Sequence, residues 1–327
     1  MKKTINSVDR VVVCSRSFSR HKYLRAKLCE RYSCVKFNDD GASLEGDSLV
    51  AFLQGHEKAI IGLEVLDESV LRKVPELRVV GKYGVGLDGI DLQAMHKYGV
   101  QLGWTPGVNR RSVSELVVGL AILLLRNIPI ANREVQKGLW KQHTGSLLSN
   151  RKVGIIGCGA IGQDLVSLLK PYQCKIIVHD IRTYEAFFAK NEIQKASLLE
   201  LLRYSDIVTV HLPLDKSTKN LLSGEVLREI KKGAILINTA RGGIVDEEVL
   251  KELLVKRHIA AAGFDVFQVE PPNDPELLSL PNLFITPHIG GSSDEAIMAM
   301  GDSAIDGLDN AVNALSNQII EPLQEVS

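Results

Sequence analysis

Three side chains stand just past three successive runs that read as buried strands, and together they could hold a carboxylate and move a proton. Asn238-Thr239-Ala240-Arg241-Gly242-Gly243 closes the run Gly233-Ala234-Ile235-Leu236-Ile237 with an arginine, and no acid comes until Asp246. Gly263-Phe264-Asp265-Val266-Phe267-Gln268-Val269-Glu270 carries an acid past the next run, and Pro271-Pro272 stiffens the chain beyond it. Ile285-Thr286-Pro287-His288-Ile289-Gly290-Gly291 carries a histidine past a third. Imidazole titrates near neutrality, so His288 suits the base that takes a hydroxyl proton while a hydride leaves the carbinol carbon. A carboxylate on its other nitrogen, Glu270, would orient the ring and favour the protonated form needed in the reverse direction. Arg241 would hold a substrate carboxylate as a fork. Singly, each has a plainer reading: Arg241 as a cap or surface ion-pair partner, Glu270 as a solvated loop residue, His288 as a satisfied structural histidine. Their recurrence at consecutive strand ends favours chemistry.

A hydride needs an acceptor, and an earlier segment suits one. Gly157-Cys158-Gly159-Ala160-Ile161-Gly162 comes after the strand-like run Lys152-Val153-Gly154-Ile155-Ile156 and opens a helical pattern. In that context the glycines permit a tight turn (Gly157), close approach of backbone to a pyrophosphate (Gly159) and close helix-to-strand packing (Gly162). Asp180 stands 18 residues beyond Gly162 at the end of the next predicted strand, where a carboxylate can bond both ribose hydroxyls. The same carboxylate would repel a 2′-phosphate, so NAD is favoured; Arg182, two residues on, keeps NADP open. Asp180 as a mere turn cap is the plainer alternative. Cys158 reads as a spacer, with no basic neighbour to activate it.

The elements that must position these residues form two series. From residue 8 to about 105, β-branched runs (10–14, 34–37, 59–62, 77–81, 100–103) alternate with helical patterns, and a second set lies at 152–157, 175–179, 206–210, 234–237, 261–264 and 283–286. Such alternation specifies α/β architecture, here two doubly wound parallel sheets with helices on both faces. Between the series lies 112–127, a helix apolar on most of its surface, and then a polar arm to about 150. A helix that apolar must be buried, in part against a second subunit. A last long helix, 293 to about 315, is expected to pack back on the first domain.

Composition sets bounds. The 327 residues are 45% hydrophobic and 24% charged, as in an ordinary soluble globular protein, and Lys plus Arg equals Asp plus Glu at 39 each, so nothing marks a nucleic-acid partner. The longest apolar run, 116–125, is too short to span a bilayer, and Met1-Lys2-Lys3-Thr4 leads into polar residues, not a signal core. No membrane partner is expected. Five cysteines without a CxxC pair (Cys14, Cys29, Cys34, Cys158, Cys174) fit free thiols in a reducing, cytoplasmic setting.

These motifs, with His211-Leu212-Pro213-Leu214 and the stretch 238–247, resemble the D-isomer-specific 2-hydroxyacid dehydrogenase family, particularly its phosphoglycerate dehydrogenase-like members, over nearly the whole chain. The resemblance implies a flavodoxin-like substrate domain (1–104 and 293–327), a Rossmann NAD-binding domain (105–292) that includes a dimerisation arm (about 112–150), and a cleft between the two domains. It implies that Arg241, Glu270 and His288 are the substrate-binding arginine, the orienting acid and the acid/base histidine. Asp265 is similar to the family aspartate that bonds the nicotinamide carboxamide. Ala160, Ile161, Thr239, Ala240, Gly290 and Gly291 fall where the family contacts cofactor. Lys82-Tyr83-Gly84-Val85-Gly86-Leu87-Asp88 resembles the loop whose amides receive the substrate carboxylate, and glycines there would let successive N–H groups form an anion nest facing Arg241. From the glycines alone a plain strand-to-helix turn is an equal reading. The stretch 105–112 resembles the interdomain crossing, which would act as a hinge.

The expected activity is hydride transfer between NAD(H) and a small D-2-hydroxy acid or 2-oxo acid, in a homodimer. Phosphoglycerate dehydrogenases present basic side chains to the substrate phosphate, yet the corresponding region reads Ile61-Gly62-Leu63-Glu64-Val65-Leu66-Asp67, and Glu64 would oppose a phosphate. Lys82, Arg110, Arg111 or Lys141 would have to compensate. A glyoxylate/hydroxypyruvate reductase is therefore the alternative within the class. The chain ends soon after Leu315, so no C-terminal regulatory domain and no serine effect are expected. A dinucleotide-sensing, corepressor-like binding protein of the same fold is the alternative from another class; residues 8–105 advertise no partner groove.

Overall fold

The structure is a computed structural model and describes residues 7–320; Met1-Lys2-Lys3-Thr4 and the ends of the expected substrate domain, 1–6 and 321–327, lie outside the described residues. In chain order the first series comprises β1 (Ser7–Val13), α1 (Arg16–Arg20), α2 (Lys22–Arg31), β2 (Tyr32–Phe37), α3 (Gly46–Leu53), β3 (Lys58–Ile61), α4 (Glu68–Leu71), β4 (Val79–Lys82), α5 (Leu92–Lys97) and β5 (Gln101–Gly103). The second begins with α6 (Arg110–Leu125), α7 (Ile128–Gln136), β6 (Lys152–Ile156), α8 (Ala160–Leu169) and β7 (Lys175–His179). It continues through α9 (Glu185–Lys190), β8 (Gln194–Lys195), α10 (Leu198–Tyr204), β9 (Ile207–Val210), α11 (Gly224–Leu227) and β10 (Ile235–Asn238). Then come α12 (Glu247–Val255), β11 (Ala261–Phe264), α13 (Pro275–Ser279) and β12 (Leu283–Ile285), before α14 (Asp294–Gly307), β13 (Val312–Asn313) and α15 (Asn317–Ile320). The chain divides into two compact units, Met1–Asn109 with Asp294–Ser327, and Arg110–Ser293.

The first unit holds a six-stranded sheet in the order β13-β5-β4-β3-β1-β2, parallel except for β13. Consecutive residues of β1 feed opposite faces: Val12 joins one core, with Leu49, Leu66 and Met95, and Val11 and Val13 join the other, with Phe18, Leu24 and Ile305. That two-sided burial is why its strands read as continuous apolar runs.

The second unit holds a seven-stranded sheet in the order β12-β11-β10-β9-β6-β7-β8, with every pairing parallel. Strand order reverses between β6 and β9, the crevice where doubly wound sheets bind ligands. Ile156 and Leu236 enter one core, and Ile155, Ile235 and Ile237 the other.

Three elements depart from expectation. The long inter-series helix begins at Arg110 and stops at Leu125, because Asn127 adopts φ 54° and Pro129 opens a separate α7. α6 buries Val113, Val117, Leu120, Ala121 and Leu124 inside its own unit. No single helix among the described residues is long and apolar enough to cross a membrane; α6 and α7 together pass on length and composition, bent by 64°. The last helix ends at Gly307 instead of continuing to about 315. A Cβ on Gly103 would lie 2.2 Å from the Gly307 carbonyl, so helix and sheet backbones touch there, and Val312 and Asn313 then pair with Leu102 and Gln101. This pairing covers the outer hydrogen-bonding groups of β5, which would otherwise be an open edge. β8 is two exposed polar residues on the other sheet's edge, too short to show any period.

Candidate active site

The glycine loop comes directly after β6. Gly157 takes φ 92°, and a Cβ on it would lie 2.6 Å from the carbonyl oxygen of His211, so the turn at the switch point admits no side chain. Gly159 is the N-cap of α8 and provides no side-chain cap, which leaves the first-turn amides near Ala160 and Ile161 without the usual partner. A Cβ on Gly162 would lie 2.4 Å from the Gly157 carbonyl, so the third glycine sets the close packing of helix on turn.

Asp180 lies just past β7. Its Oδ2 accepts from the Cys158 amide at 2.6 Å and its Oδ1 from the Arg182 amide at 2.8 Å. It therefore closes its own turn, as a turn cap would, and also braces the glycine loop. Burial, helped by Asp180, pushes the Cys158 thiol up to about 12, in keeping with a spacer. His211 and Thr239 lie just past β9 and β10, which pair Val210 with Asn238. His211 Nε2 lies 2.9 Å from Thr209 Oγ1, while His211 Nδ1 and Thr239 Oγ1 are buried with no hydrogen-bond partner. Burial pushes the His211 imidazole down to about 3, so it is neutral. A turn closed to side chains, uncapped helix amides, a strand-end carboxylate and two orphaned polar atoms, one at the switch point and one past the adjacent strand β10, fit a dinucleotide.

Arg241, Asp265, Glu270 and His288 are linked by a chain of contacts within the second unit. The Asn238 side chain shapes the turn after β10: its Nδ2 donates to the Arg241 carbonyl at 3.0 Å and its Oδ1 accepts from the Ala240 amide at 3.1 Å. Arg241 Nη1 donates to the Ala240 carbonyl at 2.7 Å. The Asp265 amide donates to the Asn238 carbonyl at 2.9 Å, and the Asp265 carbonyl accepts from the His288 amide at 2.9 Å. Nδ1 of His288 lies 2.8 Å from Oε2 of Glu270, and Oε1 of Glu270 accepts from the Phe267 amide at 3.1 Å. The Glu270 carboxylate is thus oriented by backbone before it orients the ring.

His288 takes φ 55°, a left-handed conformation unusual for a residue other than glycine. Asp265 holds it there. That carboxylate is 2% exposed; Oδ1 accepts from Thr286 Oγ1 at 2.6 Å and from the Ile289 amide at 2.8 Å, and Oδ2 from the Gly290 amide at 2.7 Å. Ser112 Oγ donates to the Gly290 carbonyl at 2.7 Å, tying α6 to the same turn, which Gly291 extends. Sequence reasoning singled out Asp265 for cofactor and did not find this bracing role; an aspartate just ahead of a strand-end acid, with a Thr-Pro-His turn further on, was the available signal.

In the first unit, Gly84, Val85 and Gly86 lie just past β4. Gly84 takes φ 134°, which favours glycine, and Trp104 Nε1 donates to the Val85 carbonyl at 3.0 Å. Lys82 is buried and donates to the Gly62 carbonyl. Glu64 turns back on its own loop, Oε2 accepting from the Gly62 amide at 2.6 Å, while Leu63 and Val65 are exposed. In the second unit Arg111 pairs with Asp164 at 2.9 Å, and Lys141 is exposed. No group of three or more His, Cys, Asp or Glu that could hold a metal occurs among the described residues.

Comparison with known proteins adds to this geometry. Residues 118–290 match the model of the D-isomer specific 2-hydroxyacid dehydrogenase NAD-binding domain. The chain is 39% identical over 231 residues to the D-3-phosphoglycerate dehydrogenase of Bacillus subtilis (strain 168), a match covering 70% of this chain and 44% of that protein. It thus spans less than half the length of that relative. It is 34% identical over 264 residues to the hydroxypyruvate reductase of Thermotoga maritima, covering 79% of this chain and 85% of that protein. A crystal structure from Polaromonas sp. JS6 66, whose description places it in the matched family, superposes with a TM-score of 0.84 at 29% identity, covering 94% of this chain and all of that one.

Proposed function

The chain belongs to the D-isomer-specific 2-hydroxyacid dehydrogenase family, and from that premise we propose that it interconverts a small D-2-hydroxy acid and its 2-oxo acid with NAD(H). The observation that carries this reading is the 2.8 Å contact between His288 Nδ1 and Glu270. With Nδ1 committed to the carboxylate, Nε2 is left to exchange a proton with the substrate oxygen. The cofactor, when bound, would supply the hydride acceptor for the alcohol as NAD and the hydride donor for the 2-oxo acid as NADH. Arg241 is assigned to the substrate carboxylate and to polarising the carbonyl, and Gly84, Val85 and Gly86 are assigned to substrate binding. We assign the cofactor to Gly157, Gly159, Ala160, Ile161, Gly162, Asp180, Thr239, Ala240, Asp265, Gly290 and Gly291. The first unit is then the substrate domain and the second the NAD domain.

Purified protein should oxidise NADH with at least one of hydroxypyruvate, glyoxylate, pyruvate and phosphohydroxypyruvate. Silence across a broad 2-oxo acid panel would refute the assignment. Two substrates divide the phosphoglycerate dehydrogenase-like reading from the hydroxypyruvate or glyoxylate reductase reading. The acid at Glu64 and the exposed Leu63 and Val65 favour the unphosphorylated acid, and a comparison of rates with hydroxypyruvate and its phosphate decides. A binding protein that only senses dinucleotide would keep its cellular role as His288→Ala; an enzyme would lose it. A homodimer through the α7 arm is supported by the exposure of Ile128, Val135, Leu139, Trp140 and Leu147, and a cytoplasmic setting by five free cysteines. Light scattering and cell fractionation test these two.

A further inference from the structure

The loop bearing Glu270 and the loop bearing Arg241 meet backbone to backbone. A Cβ on Gly242 would lie 2.0 Å from both the carbonyl carbon and oxygen of Phe267 and 2.4 Å from the Gln268 nitrogen, so nothing larger than hydrogen fits between the two chains. One side chain fastens this seam: Glu247 Oε1 accepts from the Gln268 amide at 2.7 Å, across 21 residues of sequence. We infer that Glu247 is a positioning residue that latches the Phe267 to Glu270 loop against the Arg241 turn, and so sets where Glu270 meets His288.

The helix that carries Glu247 explains its placement. Glu247 is the first residue of α12, whose N-cap Asp246 accepts from the Val249 amide at 3.1 Å, so Glu247 projects from a capped end and not from a mobile loop. Its bond falls next to the Phe267 amide that donates to Glu270 at 3.1 Å. The path from Glu247 to the imidazole is therefore short: the Gln268 amide, the Phe267 amide, the Glu270 carboxylate, His288 Nδ1. Burial raises the Glu247 carboxyl above its ordinary value, with Glu248, Asp246 and Asp274 adding to the rise. An acid kept half-buried beside three others needs a compensating contact, and the Gln268 amide is that contact.

The inference rests on the proposed reaction, and two substitutions test it separately from that reaction. Glu247→Gln keeps an oxygen at the same reach; Glu247→Asp keeps the charge and the helix-terminal acid but falls one methylene short. The first readout needs no turnover: amide exchange of Gln268 in the protein without cofactor should be unchanged in Glu247→Gln and accelerated in Glu247→Asp. The second is kinetic. Glu247→Asp should lower kcat by roughly tenfold or more while the NADH dissociation constant stays within about twofold, and Glu247→Gln should restore kcat, as misplacement of a reacting group predicts. Protection of Gln268 unchanged in Glu247→Asp would overturn the latch, as would full kcat in that variant. Equal impairment of Glu247→Gln and Glu247→Asp would overturn it too, since an oxygen at full reach would then not suffice. If wild type turns over no 2-oxo acid, the reaction fails, and the exchange result still decides the latch.

Discussion

At the residue scale, the distribution of work among acids is what separates this site from a generic strand-end cluster. Glu270 faces the imidazole; Asp265 holds the backbone that carries it, taking three hydrogen bonds on its carboxylate and one on its carbonyl. A left-handed non-glycine residue costs on the order of 1 kcal/mol or more, so His288 stays at φ 55° because those bonds over-determine the turn. His288→Ala should lower kcat by roughly 100- to 10,000-fold, the usual contribution of a positioned acid/base, with NADH affinity retained. Fluorescence titration beside steady-state rates checks both halves; a variant within about tenfold of wild type would remove His288 from the proton path. His211 offers a pH test of a different kind. Unfolded, it takes a proton below its ordinary 6.5, while burial holds the folded form neutral down to about 3. Between these values the unfolded chain binds the extra proton, so stability falls with falling pH by roughly 1.4 kcal/mol per unit from this group. Urea titrations should find His211→Gln less acid-sensitive than wild type between pH 6 and 4, and parallel curves would show the imidazole protonated in place. The pairing of Glu270 with His288 was legible in the sequence because both lie just past apolar strands. Glu247 and the bracing role of Asp265 were not, because their partners lie 21 to 25 residues away and only packing brings them together.

At the element scale, the sequence pattern located every strand of three residues or more and left the two-residue ones unread. The runs around Val11, Ile155 and Leu236 are apolar on both faces and announce a parallel sheet. β8 and β13 have two residues each and owe their conformation to a neighbour's open edge, which no local pattern encodes. The end of α14 is a case where the sheet dictates to the helix. Gly103 on β5 and Gly307 on α14 approach through their backbones, and Gly103→Ala would drive its methyl into the Gly307 peptide, where no rotamer change gives relief. Overpacking of this kind costs about 1–3 kcal/mol. The variant should lose that much in denaturant unfolding, with its effect concentrated in the first unit's β5, α14 and β13. A loss below about 0.5 kcal/mol would mean that helix and sheet part easily there.

At the scale of the whole molecule, each unit has its own sheet and its own pair of cores, and the residues proposed to hold NAD all fall between Arg110 and Ser293. That partition makes a prediction in which location matters more than size. A ligand that binds only the native form stabilises what it binds, by roughly 2.7 kcal/mol at a hundredfold excess over its dissociation constant. If NADH seats at the β6 and β9 switch point, the added protection from amide exchange belongs to the segments that end there: the turn at Gly157 to Gly162, Asp180, His211, Thr239 and the Asp265 to Gly291 turns. Mass-resolved exchange with NADH alone, without a 2-oxo acid, should slow these segments and leave β1 to β5 unchanged. Asp180→Ala should weaken the effect for NADH, because it removes both the proposed ribose partner and the brace on the Cys158 amide. Protection concentrated in residues 7–109 would reverse the assignment of the two units, and an undiminished response in Asp180→Ala would take cofactor selection away from that carboxylate.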